Sequence, residues 1–109
     1  MRARPATVEL VVEGDRFAPG DTIRGSVTMP QACAVDLVRV ESSPTATLEF
    51  TVASVVPRSD GAFALGVPAD APPTVAGRAC ALVWRVRART GEYPQPYDAR
   101  RTLELACPS

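Results

Sequence analysis

The segment Arg16–Val27 reads RFAPGDTIRGSV, and its order of residue types describes a corner leading into a strand. Pro19 presets φ, Gly20 accepts positive φ, and Asp21 follows, a combination that specifies a tight turn. Beyond the turn, residues 22–29 alternate, with Ile23, Val27 and Met29 expected inward. Gly25 shares that inward face, and a glycine there marks a bulge or a close backbone approach. Upstream, Val8, Leu10 and Val12 alternate with Thr7, Glu9, Val11 and Glu13, which predicts a half-buried strand over 7–13. Gly14-Asp15 opens the loop between the two strands, and Phe17 is expected to tuck its ring beneath it.

The same punctuation continues downstream. A third strand is predicted from Ala34 to Glu41, with Val38 and Val40 inward and Leu37 left open. After the turn Ser42-Ser43-Pro44, the run Thr45–Val56 places Leu48, Phe50 and Val52 on one face. Arg58-Ser59-Asp60-Gly61 is a polar turn of hairpin type before Phe63, Leu65 and Val67. Pro68–Arg78, PADAPPTVAGR, lacks ladder donors at its prolines and reads as an extended crossover between sheets. From Ala79 to Arg89, Cys80, Leu82, Trp84, Val86 and Ala88 are predicted inward, opposite Ala81, Val83, Arg85, Arg87 and Arg89. Leu103, Leu105 and Cys107 define a last strand that ends at Pro108. Seven short strands with no helical period predict an all-β chain, a seven-stranded antiparallel β-sandwich of the immunoglobulin-like kind.

A length of 109 residues fits one domain, 1–109, large enough to bury a core without staples. Twelve arginines balance twelve acids, so there is no electrostatic case for nucleic acid, which binds through phosphate neutralisation. Cys33, Cys80 and Cys107 are odd in number and lack CxxC spacing, unlike a secreted disulfide framework. No apolar run reaches the ~20 residues of a membrane span, and an acid interrupts the first apolar run before it could serve as a signal peptide. The expectation is a soluble, cytoplasmic protein.

Two motifs together carry a family resemblance. The first is Phe17, Pro19, Gly20 and Asp21, continued by Ile23, Gly25 and Val27. The second is Phe63, Leu65, Pro68, Pro72, Pro73 and Gly77, then Leu82, Trp84, Val86 and Arg87. In order and spacing the chain resembles arrestin-like β-sandwich domains, including bacterial relatives of the sporulation-control type. The antibody-type pattern fits less well, because Trp84 follows Cys80 instead of lying between paired cysteines. The resemblance implies an adaptor or scaffold that recognises other proteins through loops and sheet edges. Arrestins join two such sandwiches, whereas this chain has room for one, so self-pairing or another subunit would have to replace the second.

The residue types weigh against catalysis. Without His or Lys, the Ser-His, Cys-His and Ser-Lys arrangements are all missing. Cys80 reads as a core residue, Cys107 as a last inward residue, and Cys33 has no basic neighbour to lower its pKa. Zinc would want His or clustered Cys; Glu13, Asp15 and Asp21 at the first loop are better read as a solvated loop than as calcium ligands. No catalytic residue, cofactor or metal is expected.

Two surface features remain. Arg85, Arg87 and Arg89 alternate onto one expected solvent face, suited either to an acidic partner or to cross-strand pairing with acids such as Glu104. Tyr93 and Tyr97 lie in the proline-bearing loop GEYPQPYDA, either as recognition anchors or as a cap on the sandwich end. The function expected is a non-enzymatic protein–protein interaction module, with possible homo-oligomers formed through an edge strand. The alternative is a structural or accessory subunit of a larger assembly; a small hydrolase or ligand carrier is a third reading.

Overall fold

A computed structural model describes residues 9–28, 34–77, 79–91 and 99–105. Among these the chain forms nine strands and no helix, so the fold is all-β. In order they are β1 (Glu9–Val12), β2 (Arg16–Phe17), β3 (Thr22–Thr28), β4 (Ala34–Ser42), β5 (Thr47–Val55), β6 (Ala62–Gly66), β7 (Val75–Ala76), β8 (Ala81–Arg89) and β9 (Ala99–Leu105). The seven longer strands each overlap one of the predicted runs; β2 and β7 are two-residue additions. A smaller sheet has the order β1-β3-β6, and a larger one β2-β9-β8-β4-β5 with β7 beside β8. Every pairing is antiparallel except β2 with β9, which is parallel.

The corner laces the two sheets. The Asp21 N–H donates to the Ala18 carbonyl at 3.0 Å, and the Ala18 N–H donates to Asp21 Oδ2 at 2.9 Å. Gly20 sits at φ 88°, a conformation that only glycine adopts without strain. The Gly20 N–H reaches the Val67 carbonyl at 3.1 Å, and the Val67 N–H returns to the Asp21 carbonyl at 2.8 Å. The turn is thereby fastened to the end of β6. Between β1 and β3, β2 leaves the smaller sheet and joins the larger one, pairing Arg16 with Glu104 and Phe17 with Leu105. The Phe17 ring lies beneath Gly14, where a Cβ would stand 3.7 Å from it. Gly25 marks a close approach and not a bulge, since its register is unbroken. A Cβ there would strike the Val11 carbonyl oxygen and lie 2.7 Å from the Phe63 ring.

Register sorts the larger sheet into transverse rows on its inner face. Val55, Val35, Ala88 and Ala99 form one row; Ala53, Leu37, Val86 and Arg101 the next. Then come Phe50, Arg39, Trp84 and Leu103, and finally Leu48, Glu41, Leu82 and Val75. Ile23, Val27, Phe63 and Leu65 of the smaller sheet share one buried cluster with Val35, Leu37, Trp84 and Val86. The indole N–H of Trp84 donates to the Pro72 carbonyl at 2.9 Å, so the proline crossover also fixes the ring. A void of about 10 Å³ lies between the sheets beside Phe17, Ile23 and Trp84.

Several expectations are corrected. Leu37, not Val38 or Val40, enters the core; those two valines are buried on the opposite face of central β4. Alternation in β5 breaks at a bulge, where Leu37 pairs with Ala53 but Val38 with Thr51, so Val52 and Ala53 both pack on the core. Cys80 is exposed, because the turn after β7 ends only at Ala81 and the strand's alternation does not extend back to 80. The turn at 58–61 is tight, with the Gly61 N–H donating to the Arg58 carbonyl at 2.8 Å, but it does not close a hairpin. Its flanking strands enter different sheets, since the Val27 N–H takes the Gly61 carbonyl and pulls β6 onto β3. Met29, Cys33 and Cys107 lie outside the described residues.

Candidate interaction surface

The arginine row occupies the outer face of the larger sheet, where cross-strand neighbours decide its role. Asp36 pairs with Arg87 in register and is 1% exposed, a carboxylate placed in the middle of an apolar strand. Such a group is tolerated only when its oxygens are fully engaged. Arg87 Nη2 and Nε donate to Asp36 Oδ2 at 3.0 and 3.3 Å, and Arg89 Nε donates to the same oxygen at 3.0 Å. Arg89 Nη2 reaches Oδ1 at 3.4 Å, and the Ser54 hydroxyl donates to it at 2.7 Å. Burial pushes the Asp36 carboxyl up, but the hydrogen bonds from Arg89, Ser54 and Arg87 and the charge of Arg89 outweigh it. The net result lies below the ordinary carboxylate range.

The expectation of three guanidinium groups displayed to solvent therefore fails for Arg87, which is 4% exposed. Arg89 is held by Asp36 and by the Gly91 carbonyl, at 2.9 Å. Arg85 pairs with Glu49 at 3.6 Å across the sheet, near the surface. Among the described residues, Asp36 and Glu49 engage the row; Glu104, at the other sheet margin, pairs in register with Arg16. Asp36 was legible only as a polar residue inside an apolar run; its parity with Arg87 becomes apparent once the β4–β8 register is known. Tyr93 and Tyr97 lie outside the described residues.

A second surface was missed by sequence reading. The last inner-face row, Leu48, Glu41, Leu82 and Val75, contributes no residue to the buried core cluster, although Leu82 packs against its margin. Leu48 is 57% exposed, Val75 47% and Phe50 39%. Leu48 and Val75, with Ser43, Ala46 and Cys80, border an open, mainly apolar concavity of about 360 Å³, and Phe50 stands in the adjoining row. At its margin the Arg39 guanidinium sits 4.9 Å from the Phe50 ring centroid and 3.5 Å from Glu41. Arg39 Nε is the single buried side-chain nitrogen or oxygen without a hydrogen-bond partner among the described residues. The stacked ring offsets part of that cost.

The concavity is bounded by β5, a nine-residue strand at the sheet edge, exposed on both faces from Thr47 to Thr51. Unpaired N–H and C=O groups along such an edge are a template for another chain. Its signal in the sequence is the hydrophobic alternation Leu48-Phe50-Val52, which sets the three on one face without saying what covers that face. No group of three or more His, Cys, Asp or Glu side chains converges as a metal site among the described residues. None of the helix-free described chain could cross a membrane as a helix. Comparison of the chain with protein-family models, curated proteins and solved structures returned no match.

Proposed function

We propose that this chain is a non-enzymatic protein–protein interaction module, a cytoplasmic adaptor or scaffold on a single arrestin-like sandwich. The observation that carries the reading is the uncovered apolar end of the larger sheet, with Leu48, Phe50 and Val75 exposed beside an open strand edge. Apolar side chains grouped this way in a rim of polar residues mark a docking site. The edge offers backbone hydrogen bonds and the concavity offers side-chain pockets, the two components of strand addition. Arg85 on the outer face, and Tyr93 and Tyr97, which follow β8 in sequence, are proposed as contacts separate from this concavity. Arg87 and Arg89 serve the frame through Asp36.

The test is affinity capture with the wild-type chain and with a Leu48→Ser/Phe50→Ser variant whose fold is checked by circular dichroism. A protein retained by the first and lost by the second supports the reading. Equal retention by both would move the site away from β5. A second reading, a structural or accessory subunit, is favoured by one observation, the length of the open edge itself.

A further inference from the structure

We propose that two copies of this chain pair through β5, edge to edge and antiparallel, about a two-fold axis at Phe50. The proposal rests on the interaction-module reading and names the partner of that same surface.

The edges differ in how they are protected. Among the described residues β1, β6, β2 and β7 are five residues or shorter, and short edges recruit poorly. The stretch of β9 beyond β2 carries Arg100 and Arg101, charges that oppose strand addition. β5 has nine residues, no proline and one charge, Glu49, which is already paired with Arg85. Nothing along its first five residues discourages a partner strand.

The pattern within β5 is self-complementary. About Phe50, an antiparallel copy sets Leu48 opposite Val52 and Glu49 opposite Thr51, so apolar meets apolar and polar meets polar. The alternative register, centred one residue earlier, would place Glu49 against Glu49 of the other copy, and like charges directly opposed are destabilising. Registers centred later carry the ladder beyond the bulge at Val52, where the faces fall out of phase, whereas the Phe50 register ends at it. A register centred on Leu48 keeps only Thr47–Glu49 of β5 in the ladder, so the Phe50 register is the one that the length, charge and bulge of the edge together favour.

A two-fold operation also brings the two apolar concavities side by side, since Leu48 and Phe50 share the inner face with Leu82 and Val75. The zero net charge of the chain adds no long-range repulsion between copies. A ladder of five residues per copy is small, which sets the expected dissociation constant at about 1–100 μM.

Sedimentation equilibrium of the whole chain from about 1 μM to about 1 mM tests this. The expected mass rises from 11.5 kDa to twice that value. Phe50→Lys and Phe50→Glu each place like charges on the axis and should weaken the dimer at least about tenfold. An equimolar mixture of the two should restore it, because the opposed charges then attract. Leu48→Lys replaces Phe50→Lys if the latter loses its circular dichroism. A wild-type chain that stays monomeric at the highest concentration overturns the dimer. So does a dimer indifferent to the Phe50 variants, or one that the mixture fails to restore. If the wild type is monomeric yet retains another protein that Phe50→Lys releases, the interaction-module reading survives; loss of both removes both.

Discussion

Replacing Asp36 by Asn removes one charge and leaves the rest of the outer face as it was. Arg87 would then remain buried, with an amide in place of the carboxylate that accepts from it at 3.0 and 3.3 Å. Arg89 would lose the Asp36 carboxylate while retaining the Gly91 carbonyl. Breaking a buried ion pair from one side costs about 3–5 kcal/mol, because the surviving charge is desolvated without compensation. In a domain of this size each kcal/mol moves the melting temperature by about 4–8 °C, so the expected loss is about 12 °C or more. The assay is thermal unfolding at pH 7, with urea titration to verify that the transition remains two-state.

The pH dependence supplies an independent check. Asp36 is held below its ordinary range in the folded chain, so its stabilising contribution is present above about pH 4 and is lost as pH falls through the folded value. The gap between wild type and Asp36→Asn should therefore be full at pH 7 and should narrow below about pH 4. A variant within about 1 kcal/mol of wild type at pH 7 would refute the reasoning. A gap that stays constant down to pH 2 would refute the electrostatic part alone.

Arg85→Ala removes a near-surface pair with Glu49 and should cost only about 0.2–1 kcal/mol in the same melt, far less than Arg87→Ala. Gly25→Ala forces a methyl group against the Val11 carbonyl and the Phe63 ring, and should destabilise by about 1–3 kcal/mol in urea. Trp84→Phe leaves the Pro72 carbonyl without its donor, for an expected loss of about 1–3 kcal/mol in chemical denaturation. Gly20→Ala meets no neighbour within 4 Å yet must hold φ 88°, so its cost of about 1–3 kcal/mol is conformational and should appear without any change of structure.

How far the sequence could be read depends on whether the deciding interaction was local. The Pro19-Gly20 turn and the strands after it were legible, because φ preferences and alternation act over a few residues. Phe17 was placed correctly beneath its loop for the same reason. Pairing was not legible. Arg58–Gly61 has hairpin chemistry, yet β5 and β6 separate because β6 is drawn to β3, a partner more than thirty residues upstream. Leu37 and Val38 were ambiguous because a central strand can bury both faces, so hydrophobicity no longer reports which face is inside. The arginine row was assigned to the correct face but to the wrong surroundings, since Asp36 approaches it only through the β4–β8 register. Leu48, Phe50 and Val52 alternate onto one face, but alternation cannot tell a face covered by a second sheet from one that projects beyond it.

The parallel pairing of β2 with β9 has a consequence for the order in which the domain is made. Arg16 and Phe17 leave the ribosome well before their ladder partners Glu104 and Leu105, which lie 88 positions further along the chain. The early corner can form its turn at once, yet Phe17 has no β-ladder to join until β9 has been made. Closure of the sandwich therefore waits for β9, and a chain stalled before residue 99 would leave the margin of β8 that β9 covers open to neighbouring nascent chains.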